Sequence, residues 1–220
     1  MMKVLHIYSG GLDSTVLLHQ LIAQGQEVEC INFNYGSNHN DMERTMACLN
    51  VKRLGLNPII EVPLAFVKNL FTSSLLSGAE TIPEGHYQEE TMRSTVVPFR
   101  NGILIAIAAG IAESNGCDMV SYGAHAGDHY IYPDCRPQFI DAMSDAVREG
   151  TEKQIKLHAP FYNMTKGDVV SMGSILGVKF KHTYSCYKGT TLHCGVCGAC
   201  NERKEAFKEA GVKDPTEYLS

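Results

Sequence analysis

The stretch Tyr8-Ser9-Gly10-Gly11-Leu12-Asp13-Ser14-Thr15 follows directly on the apolar run 4–7. Two adjacent glycines let a backbone come close to an anion and adopt dihedrals closed to other residues. The hydroxyls of Ser9, Ser14 and Thr15 can donate to it, and a helix opening here adds free N–H groups and a favourable dipole. Asp13 suits either Mg²⁺ or a helix cap. The bland reading is a tight turn with Asp13 or Ser14 as the cap. Seven suitable positions in a row at the end of the first strand favour a phosphate cradle instead. No match to G-x-x-x-x-G-K-[ST] occurs, so the lysine that reaches the β and γ phosphates in a Walker loop is missing.

A second constellation is Cys186, Cys194, Cys197 and Cys200, spaced C-x₇-C-x₂-C-x₂-C. Four thiolates this close can surround one tetrahedral ion, and Zn²⁺ is the usual occupant. Such a closed site has no open position for chemistry, so its expected role is structural. A disulfide pair or an iron–sulfur cluster are the alternatives, and His182 and His193 are near enough to replace a sulfur. The other four of the eight cysteines, Cys30, Cys48, Cys117 and Cys135, are scattered and read as reduced thiols.

The elements that must position these groups alternate. Apolar runs at 4–8, 27–34, 58–62, 118–123 and 155–158 predict strands. Between and after them, the patterns at 14–24, 40–54, 101–114, 136–149, 166–176 and 201–210 predict helices. Such alternation marks a doubly wound, parallel α/β sheet. Residues 78–93 break the rhythm as a long, polar excursion, which in a compact domain is often functional. The 220 residues suffice for one substantial core.

At 44% hydrophobic and 20% charged residues the composition is that of a soluble globular protein. A net charge of −5 argues against a broad nucleic-acid-binding surface. The apolar stretch 102–112 has about half the length needed to span a bilayer. The chain starts in a strand-like segment with no signal-peptide pattern, so the cytoplasm is the expected compartment and no membrane partner is expected.

The loop resembles the PP-loop, SGGxDS, of the ATP pyrophosphatases. Further stretches narrow the likeness: Tyr35-Gly36 with His39, Val96-Val97-Pro98-Phe99-Arg100-Asn101, Tyr132-Pro133-Asp134-Cys135-Arg136, and the cysteine segment followed by Asn201-Glu202-Arg203. In this order, over nearly the whole chain, they resemble the 7-cyano-7-deazaguanine synthases, the QueC family. The resemblance implies one domain over 1–220, a Rossmann-like fold of the adenine nucleotide alpha hydrolase type, and a small zinc-binding segment at about 182–220. It implies an ATP-dependent ligase that turns 7-carboxy-7-deazaguanine and ammonia into the 7-cyano base, with Mg²⁺, one structural Zn²⁺ on the four cysteines, and commonly a homodimer.

For the site, Tyr8, Ser9, Gly10, Gly11, Leu12, Asp13, Ser14, Thr15, Val16, Leu17 and Leu18 are the expected nucleotide-binding residues. Asp13, Arg100 and Lys166 are the expected catalytic ones. Arginine suits bidentate anion contacts, and Lys166 sits at a helix start where a cation is unfavourable against the dipole. Phe99, Arg100, Asp128, Tyr132 and Asp134 are the substrate-binding candidates. A carboxylate would accept the donors of a guanine-like base, and an aromatic ring, including Tyr130, would stack on it. Asp134 would serve equally as a helix cap, and Cys135 lacks a base to make it a nucleophile. The chain departs from the family at Ser37-Asn38, with Asp41 and Glu43 where one glutamate is usual, and at His129-Tyr130-Ile131. A PP-loop tRNA-modifying enzyme, a variant that stops at the amide or acts on DNA, and a nucleotide- or zinc-dependent binding protein are the competing readings.

Overall fold

A computed structural model describes residues 1–78, 81–85 and 92–219; half of the excursion at 78–93 lies outside them. Five parallel strands form one sheet: β1 (Lys3–Ile7), β2 (Glu27–Asn34), β3 (Ile60–Pro63), β4 (Met119–Ser121) and β5 (Lys156–His158), in the order β3-β2-β1-β4-β5. β1 is central, and Val4, Leu5 and His6 are fully buried in it. A parallel strand covered on both faces is apolar throughout rather than alternating, which is why 4–7 reads as an unbroken run.

The helices are α1 (Leu12–Ala23), α2 (Asn40–Arg53), α3 (Ala65–Leu70), α4 (Arg100–Ser114), α5 (Pro137–Glu149), α6 (Lys166–Ile175) and α7 (Gly198–Glu209). One core packs Ile105, Ala108 and Ala112 of α4 and Val147 of α5 against Leu5, Ile31 and Val120 of the sheet. The second packs Val16, Leu17 and Leu21 of α1, Val169 and Val170 of α6 and Phe207 of α7 against the other face. The stretch 93–114 is apolar enough by length to cross a membrane, but half of it is buried in the molecule. Phe99, at φ 52°, separates α4 from the short helical turn Arg93–Thr95 before it.

The strand order places the site. From β1 the chain winds outward to β2 and β3, then returns across the sheet to β4 and β5. A crevice opens at the carboxyl ends of the strands where the winding reverses, between β1 and β4. The glycine loop leaves β1 at this point. His6 fixes it from below: Nε2 donates to the Ser14 carbonyl at 2.9 Å, and Nδ1 accepts from Ser121 Oγ at 2.9 Å. Burial pulls its pKa down to about 4, so the ring is neutral and can make both bonds.

Two glycines are required here. Gly10 has φ +88°, and a Cβ on it would lie 2.3 Å from the Glu43 carbonyl oxygen and 2.7 Å from the Ala47 nitrogen. Helix α2 therefore rests directly on the loop backbone. Gly11 takes the cap position of α1 with extended dihedrals and no side-chain cap. The helix thus starts two residues before the expected boundary, and Asp13 and Ser14 stand inside it rather than capping it. The six-residue α3 was not expected, being too short for any periodicity to show. α7 begins at Gly198, ahead of the expected 201, which carries Cys200 into its first turn.

The C-terminal segment is pinned by Arg203, which is fully buried. Its guanidinium donates to the Phe180 carbonyl at 3.1 Å and to the hydroxyls of Thr183 at 2.9 Å, Ser185 at 3.0 Å and Thr216 at 2.8 Å.

Gly10 and Gly25 both have positive φ, but a Cβ on Gly25 would meet nothing within 4 Å. Gly25→Ala should cost about 1 kcal/mol for strain alone. Gly10→Ala should cost at least ~2 kcal/mol more, since backbone must also shift. Urea unfolding of the two variants checks this; equal losses would mean that α2 does not constrain the loop.

Candidate active site

At the switch point lies a cavity of about 220 Å³. Its floor and one wall are Tyr8, Ser9, Gly11, Leu12, Asp13 and Ser14 of the loop, with Asn32 from β2. Asn32 Nδ2 donates to the Tyr8 carbonyl at 2.9 Å and steadies the loop. His39 and Glu43 enter from α2, Arg100 and Asn101 from α4, and Tyr122, His125 and Asp128 from the segment after β4. Tyr132 and Cys135, Lys166 of α6, and Tyr184, Ser185, Tyr187 and Glu202 of the C-terminal segment complete it.

The loop is pre-shaped by its own hydroxyls. Ser9 Oγ accepts from the Gly11 N–H at 3.1 Å and lies 3.1 Å from Ser14 Oγ. Thr15 Oγ1 turns back to the Gly11 carbonyl at 2.7 Å. Gly10 is pressed against α2, and Val16, Leu17 and Leu18 point into the core behind the loop. Of the eleven expected nucleotide-binding residues, six therefore face the cavity and the others hold the loop from outside it.

Lys166 Nζ lies 3.2 Å from Asp13 Oδ2, 2.8 Å from Glu202 Oε2 and 3.3 Å from His125 Nε2. Burial alone would lower its pKa, but the Asp13 and Glu202 carboxylates outweigh that and hold it well above the ordinary lysine value. Burial pushes Asp13 upward in turn, and Lys166 with His125 overrides this and keeps its carboxyl below the usual range. Asp13 is thus an anion in the cavity wall, with its Oδ1 buried and without a hydrogen-bond partner. The buried hydroxyl of Tyr122 is equally unpartnered. Buried polar atoms in this state call for a polar ligand.

Arg100 faces this acidic side from α4. Its guanidinium donates to Tyr35 Oη at 3.3 Å and to Asn101 Oδ1 at 3.4 Å. Burial opposes its charge, yet Tyr35 and Asp134 hold its pKa above the usual guanidinium value. Its two hydrogen-bond partners, Tyr35 and Asn101, are neutral groups, while the Asp134 carboxylate acts on it as a charge. Glu43 is a buried acid pushed up to about 8 by burial, which Arg100 and the Ser9 hydroxyl counter only in part. Its Oε2 lies 3.9 Å from His39 Nε2. Burial brings the His39 ring down to about 4.

The substrate-binding candidates separate. Asp128 and Tyr132 line the cavity. Asp128 Oδ2 lies 3.5 Å from His125 Nε2, and Tyr132 Oη lies between Thr95 Oγ1 at 3.0 Å and Tyr187 Oη at 3.3 Å. Asp134 instead accepts the Asn101 N–H at 2.7 Å and so caps α4, the helix that carries Arg100. Phe99 is 60% exposed and packs edge-on against Phe139, while Tyr130 is 72% exposed; neither lines the cavity. Cys135 does, but burial drives its pKa far up and keeps it a thiol.

Tyr122, His125, Tyr184, Tyr187 and Glu202 were not among the expected residues. His125, Asp128 and Glu202 offer ligand atoms within 4.8 Å of one another. However, His125 Nδ1 accepts the Gly127 N–H at 3.1 Å, and the Lys166 ammonium already supplies the positive charge there.

The four sulfurs of Cys186, Cys194, Cys197 and Cys200 are buried and lie within 4.8 Å of one another, Cys194 and Cys200 at 3.9 Å. Sulfurs bound tetrahedrally at 2.3 Å from Zn²⁺ would be about 3.8 Å apart. The Cys197 and Cys200 thiols donate to Cys186, which holds its pKa below the usual range and raises theirs. Four buried sulfurs this close together form a donor set that fits one divalent ion. His193 takes no part: its Nε2 accepts the Ser185 N–H at 3.1 Å, and its ring lies tilted against that of Tyr184.

A model of the family described as "Queuosine biosynthesis protein QueC" matches residues 3–211. The chain is 50% identical over 214 residues to a protein of Desulfotalea psychrophila named 7-cyano-7-deazaguanine synthase, covering 97% of both chains. It is 49% identical over 212 residues to the Porphyromonas gingivalis protein of the same name, covering 96% of this chain and 95% of that one. Among solved structures, the U34-tRNA thiolase NcsA from Methanococcus maripaludis, determined with its [4Fe-4S] cluster, has a TM-score of 0.50 at 16% identity. That alignment covers 94% of this chain and 64% of the thiolase, and shows a shared fold.

Metal binding at such a site is part of the folding free energy. Cys197→Ala should therefore lose bound metal and several kcal/mol of stability together. Metal analysis of the purified variant checks this; a full equivalent of metal would remove Cys197 from the ligand set.

Proposed function

The chain belongs to the QueC family of queuosine biosynthesis proteins, and as an enzyme of that family, we propose, it makes 7-cyano-7-deazaguanine from 7-carboxy-7-deazaguanine, ammonia and ATP. The observation that carries the reading is one cavity at the switch point, with the glycine loop and Asp13 on one side and Arg100 on the other. The loop cradles pyrophosphate as a leaving group, and the missing Walker lysine argues against transfer of the γ-phosphoryl group.

The chemistry asks the protein for positioning and charge rather than for a nucleophile. A carboxylate oxygen of the substrate attacks the α-phosphorus, and pyrophosphate leaves into the loop, held by its N–H groups and the hydroxyls of Ser9 and Ser14. Arg100 offsets negative charge on the substrate or the nucleotide. Ammonia then displaces AMP to give the amide. The amide oxygen attacks a second ATP in the same way, and loss of AMP leaves the nitrile. Asp128 accepts the donors of the deazaguanine ring, with Tyr132 as wall. Asp13 would hold Mg²⁺ through its unpartnered oxygen, and the ion would neutralise charge on the phosphates.

The cysteine set takes Zn²⁺ as a closed structural site, with no open position for chemistry. The family resemblance brings with it a cytoplasmic homodimer. The fold shared with the tRNA thiolase does not carry tRNA chemistry over, and a net charge of −5 argues against the broad basic surface that tRNA binding requires.

The fate of oxygen tests the bond that is broken. With heavy oxygen in the substrate carboxylate, the label should leave on AMP in both the amide-forming and nitrile-forming steps, with none in pyrophosphate. Label in inorganic phosphate alongside ADP would mean attack at the γ-phosphorus and would overturn the reading.

A further inference from the structure

Ammonia has three N–H bonds, and the nitrogen of a nitrile has none. If the reading above holds, three protons must leave this one nitrogen within the cavity. One goes when the ammonia adduct collapses to the amide and AMP departs. Two go when the adenylated amide loses AMP. Each needs an acceptor beside the reacting carbon, since an adduct that keeps its proton expels ammonia rather than AMP. Nothing described so far supplies one.

The cavity narrows the choice. Asp13 and Glu202 are tied to the Lys166 ammonium, and Asp128 stands against His125. Burial keeps the Tyr8 and Tyr122 hydroxyls and the Cys135 thiol protonated, and so makes them poor acceptors. His39 is held to about 4, too weak a base to accept a proton near neutrality. Glu43 differs from all of these. It projects from α2 over the phosphate loop, with Oε1 only 3.7 Å from where a Cβ on Gly11 would stand.

We propose that Glu43 is the catalytic base that removes the nitrogen-bound protons in amide and nitrile formation. The groups around it suit the task. Ser9 hydrogen-bonds its carboxyl from the loop, and Arg100 acts on it electrostatically from α4. His39 lies 3.9 Å away at the start of α2, with the Tyr187 ring packed on it at 5.6 Å. No lysine ammonium lies within 4.0 Å of it among the described residues, so the carboxyl is free to exchange protons. Each proton passes from nitrogen to a Glu43 oxygen and from there to water before the next is taken. In amide formation the electron pair of the broken N–H bond stays on nitrogen, and the adduct oxygen re-forms the C=O π bond as the C–O bond to AMP breaks. In nitrile formation the pair of the first N–H bond stays on nitrogen, and that of the second forms the second C–N π bond as the C–O bond to AMP breaks. Burial sets the carboxyl at about 8, near the working pH, where a group can both accept and release a proton.

The test starts from the amide, 7-carboxamido-7-deazaguanine, so that the ionisation of ammonia plays no part. With the wild-type protein, nitrile formation should rise with pH to a plateau, with its midpoint near 8, as Glu43 becomes ionised. Glu43→Gln should slow it about 100-fold and abolish the rise, and Glu43→Asp should restore part of both. Pyrophosphate exchange into ATP with the carboxy base moves no nitrogen-bound proton and should persist in Glu43→Gln, which also shows that the variant is folded. Loss of exchange together with nitrile formation in Glu43→Gln would make Glu43 a residue of the binding site and overturn the proposal. So would nitrile formation by Glu43→Gln at the wild-type rate and with the same pH profile. Absence of exchange in the wild-type protein would instead overturn the reaction on which the proposal rests.

Discussion

A buried ammonium without partners costs several kcal/mol, more than a protein of this size can spare. Lys166 would be such a group without its carboxylates, and the architecture around the cavity follows from its need for anions. It opens α6, where the helix dipole opposes a cation, so both Asp13 from the start of α1 and Glu202 from the start of α7 are drawn to it. Three helix N-termini thereby converge on one point, and Thr165 and Asp168 cap the first turn of α6 independently of the lysine. The result is a polarised cavity. The acidic side gathers the carboxylates of Asp13, Glu202 and Asp128 around one ammonium, while Arg100 faces it from α4.

Convergence of this kind needs a backbone that can be approached. The loop after β1 is crossed by α2 over Gly10, and the end of β4 lies so close that a Cβ on Gly123 would come within 3.2 Å of the Asp13 carbonyl carbon and the Ser14 nitrogen. His6 spans the same gap from inside the sheet. The strand reversal supplies the crevice, and these contacts keep it narrow enough for opposite walls to act on one molecule.

What could be read in the sequence was what is local. The glycine loop is contiguous, the strand runs are nearly unbroken because both faces of the sheet are covered, and the four cysteines share fifteen residues of chain. Residues that meet only through the fold left no such trace. His125, after β4, and Glu202, on α7, are ordinary polar residues in the sequence and become partners of Lys166 only when these elements pack against the start of α6. Asp134 shows the converse. Its neighbourhood suggests a base-binding carboxylate, yet its oxygen is taken by the first free N–H of α4. Phe99, adjacent to Arg100, turns outward because its left-handed backbone points its ring at Phe139.

The cysteine segment was expected to have a structural role, and Tyr184, Ser185, Tyr187, Ala199 and Glu202 from it also form one wall of the cavity. A substitution there is exposed to two kinds of selection at once, for a folded chain and for turnover. Drift in this stretch should thus be slower than its loop-like character suggests. A lineage that lost the four cysteines would need to rebuild about a sixth of the cavity wall before it could keep the reaction, so the sulfur cluster acts as an evolutionary ratchet on the site beside it.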